Sequence, residues 1–277
     1  MEKVIEVTLQ ENCKLFWAVF KLNGSALNTW ADRYTDRQVT GTTEKVFSTL
    51  VQSKEITYEK ASTELYDDKF RLQKEDGEVL KVNDYPIYFR NTKKETLPKE
   101  GSTISVWVTS LSQSINPGWV IILTPLVVAF FTFLRSRKKE PSTPTKIAFG
   151  LLISALSVLV MVAAVHIGNN GMEKVSVWWL VANYGIITIG ELFLSPMGLS
   201  IVSKLSPKNI TALMMGGWFL ATSIGNKLSG VLASMWDTYD DKANFFWVNF
   251  GLLLFATVLM FALVKNLNKV MKDHGIN

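Results

Sequence analysis

The feature that most limits what this chain can become is a succession of apolar blocks, each about as long as the ~20 residues a helix needs to cross a bilayer core. Four blocks meet that length: Pro117 to Leu134, Ile147 to Ile167, Val177 to Val202 and Phe245 to Val264. A fifth, Thr211 to Met235, is as long but richer in Gly and Ser, small residues that let helices approach closely. A sixth, Leu15 to Trp30, is short, carries Lys21 and follows a lead-in with Glu6, Glu11 and Lys14, so it reads as a degenerate or truncated first span. The residues TISVWVTSLSQSIN ahead of Pro117 predict that the next span starts earlier and is interrupted near Asn116-Pro117. Of the 277 residues 48% are hydrophobic, but they segregate: nearly all the apolar blocks follow Ser102, whereas Ala31 to Gly101 is rich in Lys, Glu, Asp and Thr. The expected fold is an all-α polytopic membrane protein with a small, partly β extracytoplasmic insertion. The expected division is 1–30 as first span, 31–103 as insertion, 104–266 as a five-helix membrane bundle and 267–277 as cytoplasmic tail.

Loop charges set the orientation, because short loops rich in Lys and Arg stay cytoplasmic. RSRKKEPSTPTK after Leu134, the pair Lys204 and Lys208, and Lys265, Lys269 and Lys272 in the tail alternate correctly as inside. GNNGMEKV and WDTYDDKAN fall outside, and Trp178, Trp179 and Trp236 are placed at the outer ends of spans, where indole rings sit well among headgroups. This gives a multi-pass protein of the cell (inner) membrane with a cytoplasmic carboxy terminus. In the insertion, Asp76-Gly77 lies between two extended runs and predicts a hairpin turn. The insertion reads either as a recognition or lid module or as a solvated loop without chemistry.

Several chemistries are excluded. The net charge of +5 comes from Lys and Arg flanking apolar blocks, not from a basic patch for nucleic acid. Cys13 is the only cysteine, and His166 and His274 are the only histidines, so neither a disulfide framework nor a histidine-based metal site is expected. The amino terminus lacks the apolar core of a signal peptide. There is no P-loop, no Gly-x-Ser-x-Gly elbow, no paired-Cys motif and no His-Glu-x-x-His. Neither a cofactor nor an enzyme activity is expected. Without an ATP-binding engine, a gradient-driven carrier is what remains.

Polar groups inside spans carry the most information, since an ionised side chain at the bilayer centre costs on the order of 3 kcal/mol or more. Glu191 is near the middle of its span, too short to reach a headgroup layer, and Pro196 follows one turn later as a hinge. The alternative for Glu191 is an interhelical ion pair with no role in transport, with Lys21 or Lys227 as partner. Ser112, Gln113, Ser114 and Asn116 before Pro117 suit a polar ligand or, alternatively, a helix cap. On the fifth block Gly217, Ala221, Gly225, Ser229 and Ala233 make a small-residue stripe. Beside it Trp218, Thr222 and Asn226 form a second stripe that either lines a cavity or, for Trp218, packs as a core aromatic. Lys227, deep in the same span, either pairs with a carboxylate or snorkels outward.

Four passages resemble the proton-dependent oligopeptide transporter family of the major facilitator superfamily, spans seven to twelve. FWAVFKLNGSALNTWADR is similar to its seventh helix, QSINPGWVIILTPLVV to the eighth, GELFLSPMGLSIVSKLSP to the tenth and MMGGWFLATSIGN to the eleventh. The resemblance implies a six-helix carboxy-terminal half of a major facilitator fold and proton-coupled import of dipeptides and tripeptides by alternating access. It implies that Glu191 meets the peptide's amino end, that Asn116 lies in the peptide cavity, and that Trp218 with Ser223 forms the eleventh-helix wall. Asn226 joins these as a substrate-binding candidate; Lys21, Glu191 and Lys227 are the proton-coupling or ion-pair candidates; Pro117 and Pro196 are the hinges. Many members carry an acidic residue where this chain has Lys21. The implied partners are small peptides, protons, the lipid bilayer and a missing amino-terminal six-helix half. Two rivals stand beside this reading: a membrane-anchored interaction protein using 31–103, and a non-functional truncated fragment.

Overall fold

The computed structural model describes residues 12–39, 53–205 and 211–273. Glu6, Glu11, Lys208, His274 and part of the 31–103 segment lie outside the described residues.

The first apolar segment is a bent rod. Helix α1 covers residues 12–20, a 3-10 turn spans Lys21–Gly24, and α2 covers Ala26–Arg33, with Ser25 at the joint in a non-helical conformation. Four longer helices have the length and apolarity to cross a membrane: α3 (Ser112–Ser136), α4 (Thr143–Ile167), α5 (Trp178–Leu205) and, after the less apolar α6 (Thr211–Ser234), α7 (Lys242–Asp273). The break expected near Asn116-Pro117 is absent, and α3 runs unbroken through Pro117 and Pro125. Pro117 stands in the second turn, so the carbonyl it leaves unpaired is that of exposed Gln113 at the helix start. At its far end α7 stays helical to Asp273, past the point where a tail was expected to begin.

Helix α4 is the hub of the bundle, buried along most of its length between α5 and α7. The α4–α5 crossing is closed by small residues. A Cβ on Gly190 would stand 2.1 Å from Ser154 Oγ and 2.7 Å from the Gly150 carbonyl oxygen. The stripe on α6 does what its spacing predicts: Ala221, Gly225 and Ser229 are buried, and Gly225 lies against the Lys14 carbonyl and Trp17 of α1.

The segment between α2 and α3 folds into short antiparallel pairs. β2 (Ser53–Thr57) pairs with β7 (Thr103–Trp107), β3 (Ala61–Glu64) with β6 (Lys81–Asp84), and β4 (Lys74–Glu75) with β5 (Glu78–Val79). Asp76 and Gly77 form the two-residue turn of the last pair, with φ of 51° and 85°. Both values are positive, as a type I′ turn requires.

This insertion docks on one end of the bundle. β1 (Thr35–Asp36) pairs in parallel with β8 (Val175–Ser176) from the α4–α5 loop. Asn91 Nδ2 donates to the carbonyls of Arg33 (2.8 Å) and Gly171 (3.1 Å). Lys69 and Arg71 pair with Asp240 of the α6–α7 loop at 2.5 and 2.7 Å, and Lys93 pairs with Glu173 at 3.0 Å. Beneath lies an aromatic cluster of Trp30, Tyr34, Phe70, Trp236 and Phe246. Trp236 therefore does not stand among lipid headgroups as its position predicts. It is 4% exposed under the insertion, whereas Trp178 is 72% exposed. The loops expected outside thus gather at one end, and the basic α3–α4 loop and α7 terminus share a cleft at the other.

Candidate substrate and ion-pair site

The side chains that matter project from α3, α5, α6 and the α1–α2 rod. Glu191 is half-buried on α5. Thr188, one turn earlier on the same face, and Asn116 of α3 complete a cluster with it: Asn116 Nδ2 donates to Thr188 Oγ1 at 2.8 Å and to Glu191 Oε2 at 3.3 Å. The Thr188 hydroxyl donates to the Tyr184 carbonyl at 2.6 Å, which leaves its oxygen free to accept from Asn116. One carboxamide proton pair thereby bridges two helices. The α3–α5 contact is pinned one turn away by Trp119, whose Nε1 donates to the Val181 carbonyl at 3.0 Å while its ring fills the space over Gly185.

Glu191 makes this polar cluster, not the ion pair weighed as its alternative. Neither Lys21 nor Lys227 comes within ion-pair distance of it among the described residues. Lys21 is exposed in the turn between α1 and α2, its ammonium over the rings of Trp17 (5.3 Å) and Phe20 (5.9 Å), and it is the charge whose field reaches the Glu191 carboxylate. Lys227 is exposed on α6.

The other candidates divide. Asn116 joins Glu191. Ser223 and Asn226 are exposed on α6, with the Ser223 hydroxyl turned back to the Phe219 carbonyl at 3.0 Å. Trp218 is 5% exposed, and its ring lies so close over Gly198 that a Cβ there would be 2.2 Å from it. Trp218 is thus packed against α5 two residues beyond Pro196, and α5 itself continues as helix through that proline. Ser112 is buried and its hydroxyl donates back to the Thr109 carbonyl at 2.7 Å, so it does not cap α3, which starts without a side-chain cap; Gln113 and Ser114 are exposed. Sequence reasoning did not single out Thr188, Trp119 or Gly185. Thr188 was findable, since it stands three residues before Glu191 and so on the same helix face.

Arranged this way, the site offers a carboxylate with one oxygen held by an amide and capacity left to accept hydrogen bonds from a cation. Among the described residues no group of three or more His, Cys, Asp or Glu is placed to hold a metal.

The POT family model matches residues 103–248. Dipeptide and tripeptide permease A of Proteus mirabilis is 35% identical over 132 residues, 48% of this chain and 26% of the permease. Peptide transporter YePEPT of Yersinia enterocolitica is 39% identical over 121 residues, 43% of this chain and 24% of that protein. A crystal structure of a mutant peptide transporter POT in complex with alafosfalin covers 98% of this chain and 42% of its own, at 25% identity and a TM-score of 0.64. The chain thus spans between about a quarter and two fifths of these relatives' lengths. A family match over more than half the chain, on helices that carry the Asn116–Thr188–Glu191 cluster, places this chain in the POT family.

Proposed function

We propose that this chain is the carboxy-terminal half, spans seven to twelve, of a carrier in the cell (inner) membrane that imports dipeptides and tripeptides with protons by alternating access. Six amino-terminal helices complete its cavity, and its own carboxy terminus is cytoplasmic. The observation that carries this reading is the half-buried Glu191, held by the Asn116 amide between helices that are otherwise apolar. Major facilitator carriers place substrate between their halves near the bilayer midplane. A carboxylate there stabilises the ammonium end of a peptide more than it could in bulk water, because the cavity screens charge less. Asn116 fixes the carboxylate's orientation. Ser223 and Asn226, exposed on α6, supply hydrogen bonds along the peptide, and Trp218 backs that wall. Lys21, whose field reaches Glu191, and Lys227 are the remaining members of the coupling network. Pro196 marks where α5 flexes, since it leaves a backbone carbonyl unpaired well inside the helix.

The relatives named as dipeptide and tripeptide permeases support the substrate class. The test is Glu191→Gln in the assembled carrier, which keeps volume and removes charge. Binding of free dipeptides should weaken by about tenfold or more, and binding of amino-acetylated dipeptides should stay within about twofold, since only the former present a cation to the lost charge. Equal loss for both ligands, with a fall in melting temperature, would remove Glu191 from the substrate site.

A further inference from the structure

At the end of the bundle away from the insertion, a cleft of about 1010 Å³ opens between the α3–α4 loop, the end of α5 and the last turns of α7. Its walls carry five basic side chains. Arg135 and Lys146 are both spent on Glu140, with Arg135 Nε 2.6 Å from a carboxylate oxygen. Lys265, Lys269 and Lys272 are exposed, none in an ion pair among the described residues. Their spacing of four and three residues puts the three ammonium groups on one face of α7. Continued upward, that face holds Phe261 and Val258, which are 39% and 60% exposed, and Phe149 of α4 meets Phe261 edge-on at 5.6 Å. One helix face is therefore open and apolar above Lys265, and open and cationic from Lys265 on.

The length of α7 places the change. Its 32 residues span about 48 Å at ~1.5 Å per residue, well beyond the ~30 Å of a hydrocarbon core. The basic turns thus extend into the headgroup layer. A free phosphate would use the lysines and leave the apolar stripe unexplained. A phospholipid uses both, its acyl chains along Val258, Phe261 and Phe149 and its phosphate among the lysines.

We infer that this cleft is a binding site for an anionic phospholipid, with Lys265, Lys269 and Lys272 as headgroup ligands and Asn268 as an added donor. Basic pockets between spans bind anionic headgroups, and juxtamembrane lysines act additively near a charged bilayer surface.

The test is native mass spectrometry of the detergent-purified full chain titrated with short-chain phosphatidylglycerol, short-chain phosphatidylcholine or glycerol phosphate. Phosphatidylglycerol should bind in preference, and glycerol phosphate should not displace it. Changing Lys265, Lys269 and Lys272 together to Gln should lower phosphatidylglycerol affinity by about a hundredfold, whereas changing all three to Arg should preserve it. Phe261→Ser should weaken binding with the lysines intact. Changing Lys138 and Lys139, exposed in the same basic loop but off the cleft, to Gln should leave it unchanged. Equal binding of the two lipids, or equal loss from the Lys138 and Lys139 change, would overturn the site. Displacement by glycerol phosphate would show an anion site without a lipid.

Discussion

At the scale of single residues, a lysine enclosed at the insertion's seam carries a consequence for pH. Lys174, just before β8, is half-buried, with its Nζ enclosed over the Tyr88 ring and without a hydrogen-bond partner for that nitrogen among the described residues. Burial, the largest influence, brings its pKa down from the usual lysine range to about 7; Asp36 and Asp32 pull it back up, and Arg37 pushes it further down. The Tyr88 hydroxyl donates to Asp36 Oδ1 at 3.0 Å, and burial also pushes the phenol's own pKa up. An unfolded lysine keeps its proton to about pH 10.4, so between roughly pH 7 and 10 the unfolded chain holds a proton that the folded one has released. The contribution of Lys174 to stability is therefore lowest below about pH 7 and rises through that window. Melting temperature should climb between pH 7 and 9, and Lys174→Met should flatten the climb; an identical slope in the variant would assign it to other groups. Nothing in the local sequence GMEKV marks Lys174, because its burial is imposed by an insertion about 80 residues away. Glu191 was legible for the opposite reason: a charge amid an apolar block is conspicuous in one dimension. Trp236 misled because an aromatic at a span's end usually faces headgroups, and only the docked insertion buries it.

At the scale of elements, spans were readable because a ~20-residue apolar run has few other uses. Their interruptions were not. Whether proline breaks a helix depends on where the freed carbonyl points, and at Pro117 it points to an exposed start. The small-residue stripe on α6 was visible from its four-residue period. The tighter α4–α5 crossing was not, because Gly150 and Ser154 make only a single four-residue interval on one helix, too short to read as a stripe, and Gly190 stands alone on the other. Gly190→Ala should destabilise by about 1–3 kcal/mol or more through overpacking. Ser154→Ala added to it should recover only part of the loss, since the Gly150 carbonyl oxygen still meets the new methyl at 2.7 Å. Gly216→Ala and Gly230→Ala, where an added Cβ meets nothing within 4 Å, should be neutral or stabilising by up to ~1 kcal/mol from helix propensity. Thermal unfolding of the four variants in one detergent checks the ranking, and a Gly190→Ala protein as stable as Gly230→Ala would remove the crossing from the argument.

At the scale of the whole molecule, the grouping of the 168–177 and 235–241 loops with the insertion, opposite the Lys-rich cleft, fits the charge-based orientation. Cysteine placed at Lys69 or Asp240 should react with an impermeant thiol reagent in intact cells, and cysteine at Lys138 should react only after permeabilisation. Cys13, 2% exposed, gives little background. Labelling at position 138 in sealed cells would invert the topology. The closing of the insertion's base has a further meaning for how such a chain can vary over time. Because Ser53–Thr57 pairs with Thr103–Trp107, the two backbone paths leaving the bundle are brought side by side before the intervening 45 residues begin. A stretch whose ends already meet can lengthen or shrink at small entropic penalty, since loop closure grows only logarithmically with length. The strand pair at the base is thus a graft junction: descendants can remodel the exposed β4–β5 hairpin beyond it, provided the docking residues Phe70 and Asn91 keep their contacts with the bundle.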